Sequence, residues 1–201
     1  MTTLAMALAA TIKHDGHGGV ADLLSTESDA AAWLTTNAEL IDRSLGKKWV
    51  AGDDLFPSER VLLELVRMRR AVRALFARAV APEPPSKADA NRLLPVDEAL
   101  RIVNRAADRL GPEHLAWPDD AADPVVRRTP RTEDPVVLLI GAIGRSTIEF
   151  LTSPDRRRLR ACPAARCVKY FLQDDPRQQW CSPKCGNRER VNRHYRRHTA
   201  G

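Results

Sequence analysis

All four cysteines of this chain lie between positions 162 and 185: Cys162, Cys167, Cys181 and Cys185. They form two close pairs, C-x4-C and C-x3-C, separated by 13 residues. Two such pairs supply the four soft ligands that a tetrahedral zinc ion takes. Cysteines kept only for packing would scatter through a core, and disulfides are disfavoured in a reducing compartment. An iron–sulfur cluster uses the same ligand type, but the surrounding pattern favours zinc. Four protein ligands leave no open coordination position, so the expected ion is structural and not catalytic. A unit this small has little core of its own. A structural zinc contributes about 10–16 kcal/mol of apparent binding energy, enough to decide whether it folds.

The residues around the cysteines fit a small metal-dependent fold. Cys162 to Cys167 reads as a tight knuckle and Val168 to Leu172 as a strand. Asp174-Asp175-Pro176 turns the chain, and Trp180-Cys181-Ser182-Pro183 leads into a second turn. A helix is expected from near Cys185 to about His198. On it, Val191 and Tyr195 would face the knuckle. Arg190, Arg193 and Arg197 would share another face, with His194 and Arg196 beside it. Arg188 lies near the helix start, where it can hold the knuckle or meet a phosphate, and Asn187 is expected to cap a backbone group.

Charge divides the chain. From Arg156 onward, 13 Lys and Arg stand against Asp174, Asp175 and Glu189, a net of +10, while the remainder carries −4. A basic tail on a mildly acidic body suits a polyanion partner, most often nucleic acid.

The body reads as helical. With 43% hydrophobic residues the chain can bury a core without disulfide staples. Ser25 or Thr26 is placed to cap a short helix carrying Ala30, Trp33 and Leu34, and Leu40-Ile41 marks another short piece. The clearest periodicity begins near Ser58, with Val61, Leu65, Met68, Val72, Leu75 and Phe76 at three- and four-residue steps. Arg67, Arg70, Arg73 and Arg78 are expected on its solvated face. Ala81 to Pro85 breaks that helix, and Ser86 with Asp89 resembles a capping box. A further helix runs from about Pro95 to Leu110, with Leu100, Val103, Ala107 and Leu110 inside, and Gly111-Pro112 stops it. Leu115 to Trp117 and Val125 to Arg127 would pair as a hairpin around Asp119-Asp120. Asp134-Pro135 opens a helix to about Leu151 that is apolar nearly all round and therefore central. The expected architecture is mainly α: a helical domain over residues 1–154 with a short hairpin, then a zinc finger over 155–201 built of a knuckle, a short hairpin and a helix.

Leu4 to Ala10 has the look of a short secretory core, but no Lys or Arg precedes it and no cleavage site follows before Lys13-His14-Asp15. No apolar run approaches the length of a membrane span, so a cytoplasmic protein without membrane contact is expected. His14, Asp15 and His17 can ligate a metal in principle, yet their glycine-rich setting offers no framework. No nucleophile–base arrangement, phosphate loop or open metal site is visible, so no enzymatic role is expected.

The run Trp180-Cys181-Ser182-Pro183-Lys184-Cys185-Gly186-Asn187-Arg188 resembles the signature of CGNR zinc-finger proteins. Leu159-Arg160-Ala161-Cys162 and Tyr170-Phe171 are similar to that family as well. The likeness is strong from Arg157 onward and weak before it. It implies a helical N-terminal ABATE domain, in a bacterial family described as stress-induced transcription regulators, and it implies DNA binding. Near the N-terminus, where the family often shows an aspartate-asparagine-threonine segment, this chain has Ala9-Ala10-Thr11-Ile12. The candidate sites are therefore Cys162, Cys167, Cys181 and Cys185 for zinc, and Arg188, Arg190, Arg193, Arg196 and Arg197 for DNA. A single finger binds weakly, so the helical domain is expected to form a homodimer, sense a small-molecule ligand, or both. A finger that instead binds a protein or RNA is the alternative.

Overall fold

The computed structural model describes residues 2–15, 19–45, 58–89, 91–119 and 122–199; at 128, 193, 194 and 196–199 it describes the backbone alone. The helical body begins with α1 (Leu4–Ala9) and a small antiparallel hairpin, β1 (Ile12–His14) and β2 (Val20–Asp22). Then come α2 (Glu27–Thr36), α3 (Ala38–Leu45), α4 (Glu59–Val80) and α5 (Val96–Asp108). A second hairpin, β3 (Glu113–Ala116) with β4 (Val125–Arg128), precedes α6 (Pro135–Thr152).

Local chemistry explains the boundaries. Thr26 caps α2 through a full capping box with Asp29. The Ser58 side chain accepts from the Val61 amide at the start of α4. Asp134 accepts from the Val136 and Val137 amides, and Pro135 follows at the first position of α6. α6 is long and apolar enough by length and composition to cross a membrane, yet more than half of it is buried in the core. It packs against α5 with the backbones nearly touching, because a Cβ on Gly144 would lie 2.9 Å from the Val103 carbonyl oxygen.

Three expectations are corrected here. Arg73 is not solvated: it is 3% exposed, on the inner side of α4. Leu100 is 43% exposed, and Ala99 takes the inner position on α5 instead. Ser86 and Asp89 open no helix; they sit in a turn, where Asp89 N–H donates to the Ser86 carbonyl, and both side chains are committed elsewhere.

A short 3-10 turn (Pro154–Arg158) leads from α6 into a third hairpin, β5 (Leu159–Ala161) and β6 (Tyr170–Leu172), and α7 (Pro183–Thr199) closes the chain. This hairpin belongs to two cores. Leu159 and Tyr170 are buried in the body's main cluster, and the Tyr170 ring meets Phe76 edge-on with centroids 5.6 Å apart. Phe171, the next residue, points the other way into a separate cluster with the cysteines, as alternation along a strand requires.

Candidate metal centre and basic helix

The knuckle forms where the chain doubles back between β5 and β6. The Cys162 amide donates to the Lys169 carbonyl at 2.9 Å, and the Cys167 amide donates to the Ala164 carbonyl at 3.0 Å. Arg166 takes a left-handed backbone, φ 64°, which aims Cys167 back toward Cys162. The second pair comes from the approach to α7. There Ser182, not Asn187, caps the helix: its carbonyl accepts from the Gly186 amide and its hydroxyl from the Cys185 amide. Cys185 is thus fixed in the first turn, and Asn187 stands exposed two residues on.

All four sulfurs lie within 4.8 Å of one another. Cys167 Sγ is 3.7 Å from Cys181 Sγ, which is 3.6 Å from Cys185 Sγ. Sulfurs at the corners of a tetrahedron with zinc–sulfur bonds of about 2.3 Å stand about 3.8 Å apart, so the donor set fits the ion. The thiols are free of disulfides. Hydrogen bonds from the Cys167 and Cys181 side chains hold the Cys162 thiol down at about 3, and the same sharing pushes the Cys181 thiol up. The Cys181 amide adds a donor to Cys162 Sγ at 3.5 Å. A dication among the four sulfurs would displace the remaining protons.

α7 is clamped to the knuckle by its own first turns. The Glu189 carboxylate accepts from the Ala165 amide, and Arg188 donates to the Ala165 carbonyl at 3.1 Å. Gly186 faces the Trp180 indole, where a Cβ would sit 3.2 Å from the ring; this close approach accounts for the glycine in the cysteine–glycine–asparagine–arginine run. The expected inward pair is corrected: Val191 is 53% and Tyr195 64% exposed. The knuckle touches Cys185, Arg188 and Glu189, and the helix has passed beyond it by Val191.

A second set of contacts ties the finger to the body. Arg73 Nε donates to Asp89 Oδ1 at 2.8 Å, Nη1 to the Ala9 carbonyl at 2.7 Å, and Nη2 to Ser86 Oγ at 2.9 Å. Ser86 Oγ in turn donates to the Val168 carbonyl at 2.8 Å, and the Tyr170 hydroxyl donates to Asp89 Oδ2 at 2.9 Å. The guanidinium carbon lies 5.1 Å from the centre of the Tyr170 ring. Lys87 Nζ reaches the Pro163 and Ala164 carbonyls of the knuckle itself. Spacing along the sequence does not by itself reveal this junction. Its signal was present in α4, where Arg69 and Arg73 follow Leu65 at four-residue steps and Phe76 continues the buried row.

Arg190 is exposed on α7. The side chains of Arg193, Arg196 and Arg197 lie outside the described residues, as does His17, and no cluster including His14 and Asp15 forms a metal site among the described residues.

Fold and site together define a helical domain joined to a four-cysteine zinc finger. The family described as "Putative stress-induced transcription regulator" (ABATE) matches residues 2–154, and the CGNR zinc finger matches residues 158–198. The chain belongs to the ABATE family, with a CGNR zinc finger at its C-terminal end. No curated protein matches it.

Proposed function

We propose that the chain is a cytoplasmic, zinc-dependent transcription regulator that binds DNA through α7, residues 155–201 acting as the reading unit and residues 1–154 as the body that dimerises. The supporting observation is the fate of the one acid on α7. Glu189 is turned inward onto the Ala165 amide. The rest of the helix carries Lys184, Arg190, Arg193, Arg196 and Arg197 with no carboxylate among them. By helical spacing Arg190, Arg193 and Arg197 share one side, and an arginine row along a helix suits phosphates or guanine edges in a major groove. Arginine's planar fork serves either target. Arg188, which holds the knuckle through one nitrogen, keeps its remaining donors for a phosphate beside the helix start.

The test exchanges Arg190, Arg193 and Arg197 together for alanine. Fluorescence anisotropy should then show DNA binding lost while metal analysis still finds one zinc per chain. Unchanged DNA binding by the triple variant would refute the mechanism. A second reading draws on Val191 and Tyr195, exposed four residues apart on the same helix, which would suit a protein partner. Co-purification of one defined protein or RNA, without preference for DNA, would favour it.

A further inference from the structure

A cleft of about 320 Å³ opens among α4, α5 and the first turns of α6. Its floor is apolar and continuous with the core: Met68 is 1% exposed, and Val136 and Ile140 are 8% exposed each. Ile102, Ala106 and Val137 complete it. Its rim is cationic, with Arg60 and Arg67 from α4, Arg101 and Arg105 from α5 and Arg109 just past the end of α5, against Glu64 and Glu98.

These arginines are not equivalent. Arg60 is taken by Asp134, 2.6 Å away. Its hydrogen bond holds the Asp134 carboxyl below the usual range. Asp134 also occupies the amides at the start of α6, so that helix end has no vacancy for an outside anion. Arg67 has only Glu64, at 3.9 Å. Among the described residues, Arg101, Arg105 and Arg109 have no ion-pair partner. They stand at four-residue steps along α5 and its C-cap, where like charges repel and weaken a helix. A groove that repeats one charge over a greasy floor matches a ligand with the opposite charge on an apolar body.

The geometry points to a binding site for a small amphipathic anion, an aryl or alkyl carboxylate or sulfonate. Its hydrophobic part lies on Met68, Ile102, Val136 and Ile140, and its anionic group is gripped by Arg101 and Arg105. The volume is within the usual range for small-molecule pockets, about 300–1,000 Å³. Arginine offers the bidentate geometry that a planar carboxylate accepts. The neutral analogue of such a ligand keeps the apolar contacts and loses the charged ones. A hydrogen bond to a charged group contributes about 1.5–3 kcal/mol, so discrimination of about tenfold or more is expected. The site is independent of DNA binding and stands or falls without it.

Calorimetry on the zinc-loaded full chain tests it with 2-naphthoate and its uncharged counterpart 2-naphthol as probes. The expected result is saturable 1:1 binding of naphthoate, about tenfold tighter than naphthol. The double variant Arg101→Gln/Arg105→Gln should lose that preference while still binding naphthol, which shows that the pocket remains folded. Arg177→Gln, a charge change at an exposed arginine of the finger, should alter neither. Three outcomes would overturn the proposal: no saturable naphthoate binding, equal affinity for the two probes, or a preference that survives in the double variant.

Discussion

Arg73 shows how one side chain can join two parts of a chain. It is anchored to α1 through Ala9, to the turn after α4 through Ser86 and Asp89, and to the finger through the Val168 carbonyl. The pair with Asp89 is almost fully buried, with side-chain exposures of 4% and 10%. Removing one member leaves the other charged, dry and unmatched, which typically costs about 3–5 kcal/mol. Arg73→Met should therefore lower the urea-denaturation free energy by about that amount. A loss under about 1 kcal/mol would mean that the pair is better solvated than its burial indicates. Tyr170 reports on the same junction through pH. Burial, with the Asp89 carboxylate beside it, pushes its phenol up from 10.0. The folded chain then holds a proton that the unfolded chain releases. The corresponding stability is complete below pH 10 and drains away above it. The stability difference between wild type and Tyr170→Phe should be constant at neutral pH and shrink as pH rises past about 10. A difference that stays flat there would contradict the raised phenol.

At the scale of elements, much of this fold can be read from spacing and caps. The caps at Thr26, Ser58 and Asp134 and the all-apolar first half of α6 are local signals, and local signals are legible in one sequence. The four-cysteine cluster was legible for a related reason, because its chemistry lies in two short stretches of chain. What stayed hidden depends on distant partners. Ser86 and Asp89 have the spacing of a capping box, but their side chains go to Arg73, Val168 and Tyr170, and no helix follows. Val191 and Tyr195 have the spacing of an inward pair, but the finger ends before them. The α5–α6 contact is similar, because it sets Gly144 against Val103, a residue far away in the chain. Gly144→Ala gains about 1 kcal/mol in helix propensity. The added Cβ meets backbone that cannot rotate away, and overpacking of this kind costs about 1–3 kcal/mol. A net loss in denaturant midpoint is expected, and a gain would show that the two helices separate easily.

Across the whole molecule, the zinc centre and the helical body have separate cores that share one hairpin. Tyr170 sits among Phe76 and the body residues, while Phe171 sits with Cys162, Cys167 and Cys185. Stripping the metal with a strong chelator should therefore unfold the knuckle and free α7 without dissolving the body. Hydrogen exchange should accelerate from Cys162 to Cys167 and from Cys181 through Glu189, and stay slow in α4 and α6. Uniform acceleration throughout would mean a single cooperative unit, and none at all would mean that the finger stands without its ion. The same division underlies the functional reading, in which a metal-held helix presents arginines while the body holds its position. Selection of DNA from a random pool by the zinc-loaded chain tests this most directly, with Cys185→Ser as the control that lacks an intact finger. An enriched motif that requires the intact finger is expected, with log affinity falling against log salt by about 0.9 for each phosphate engaged. No enrichment, together with equally weak binding by the Cys185→Ser chain, would contradict it.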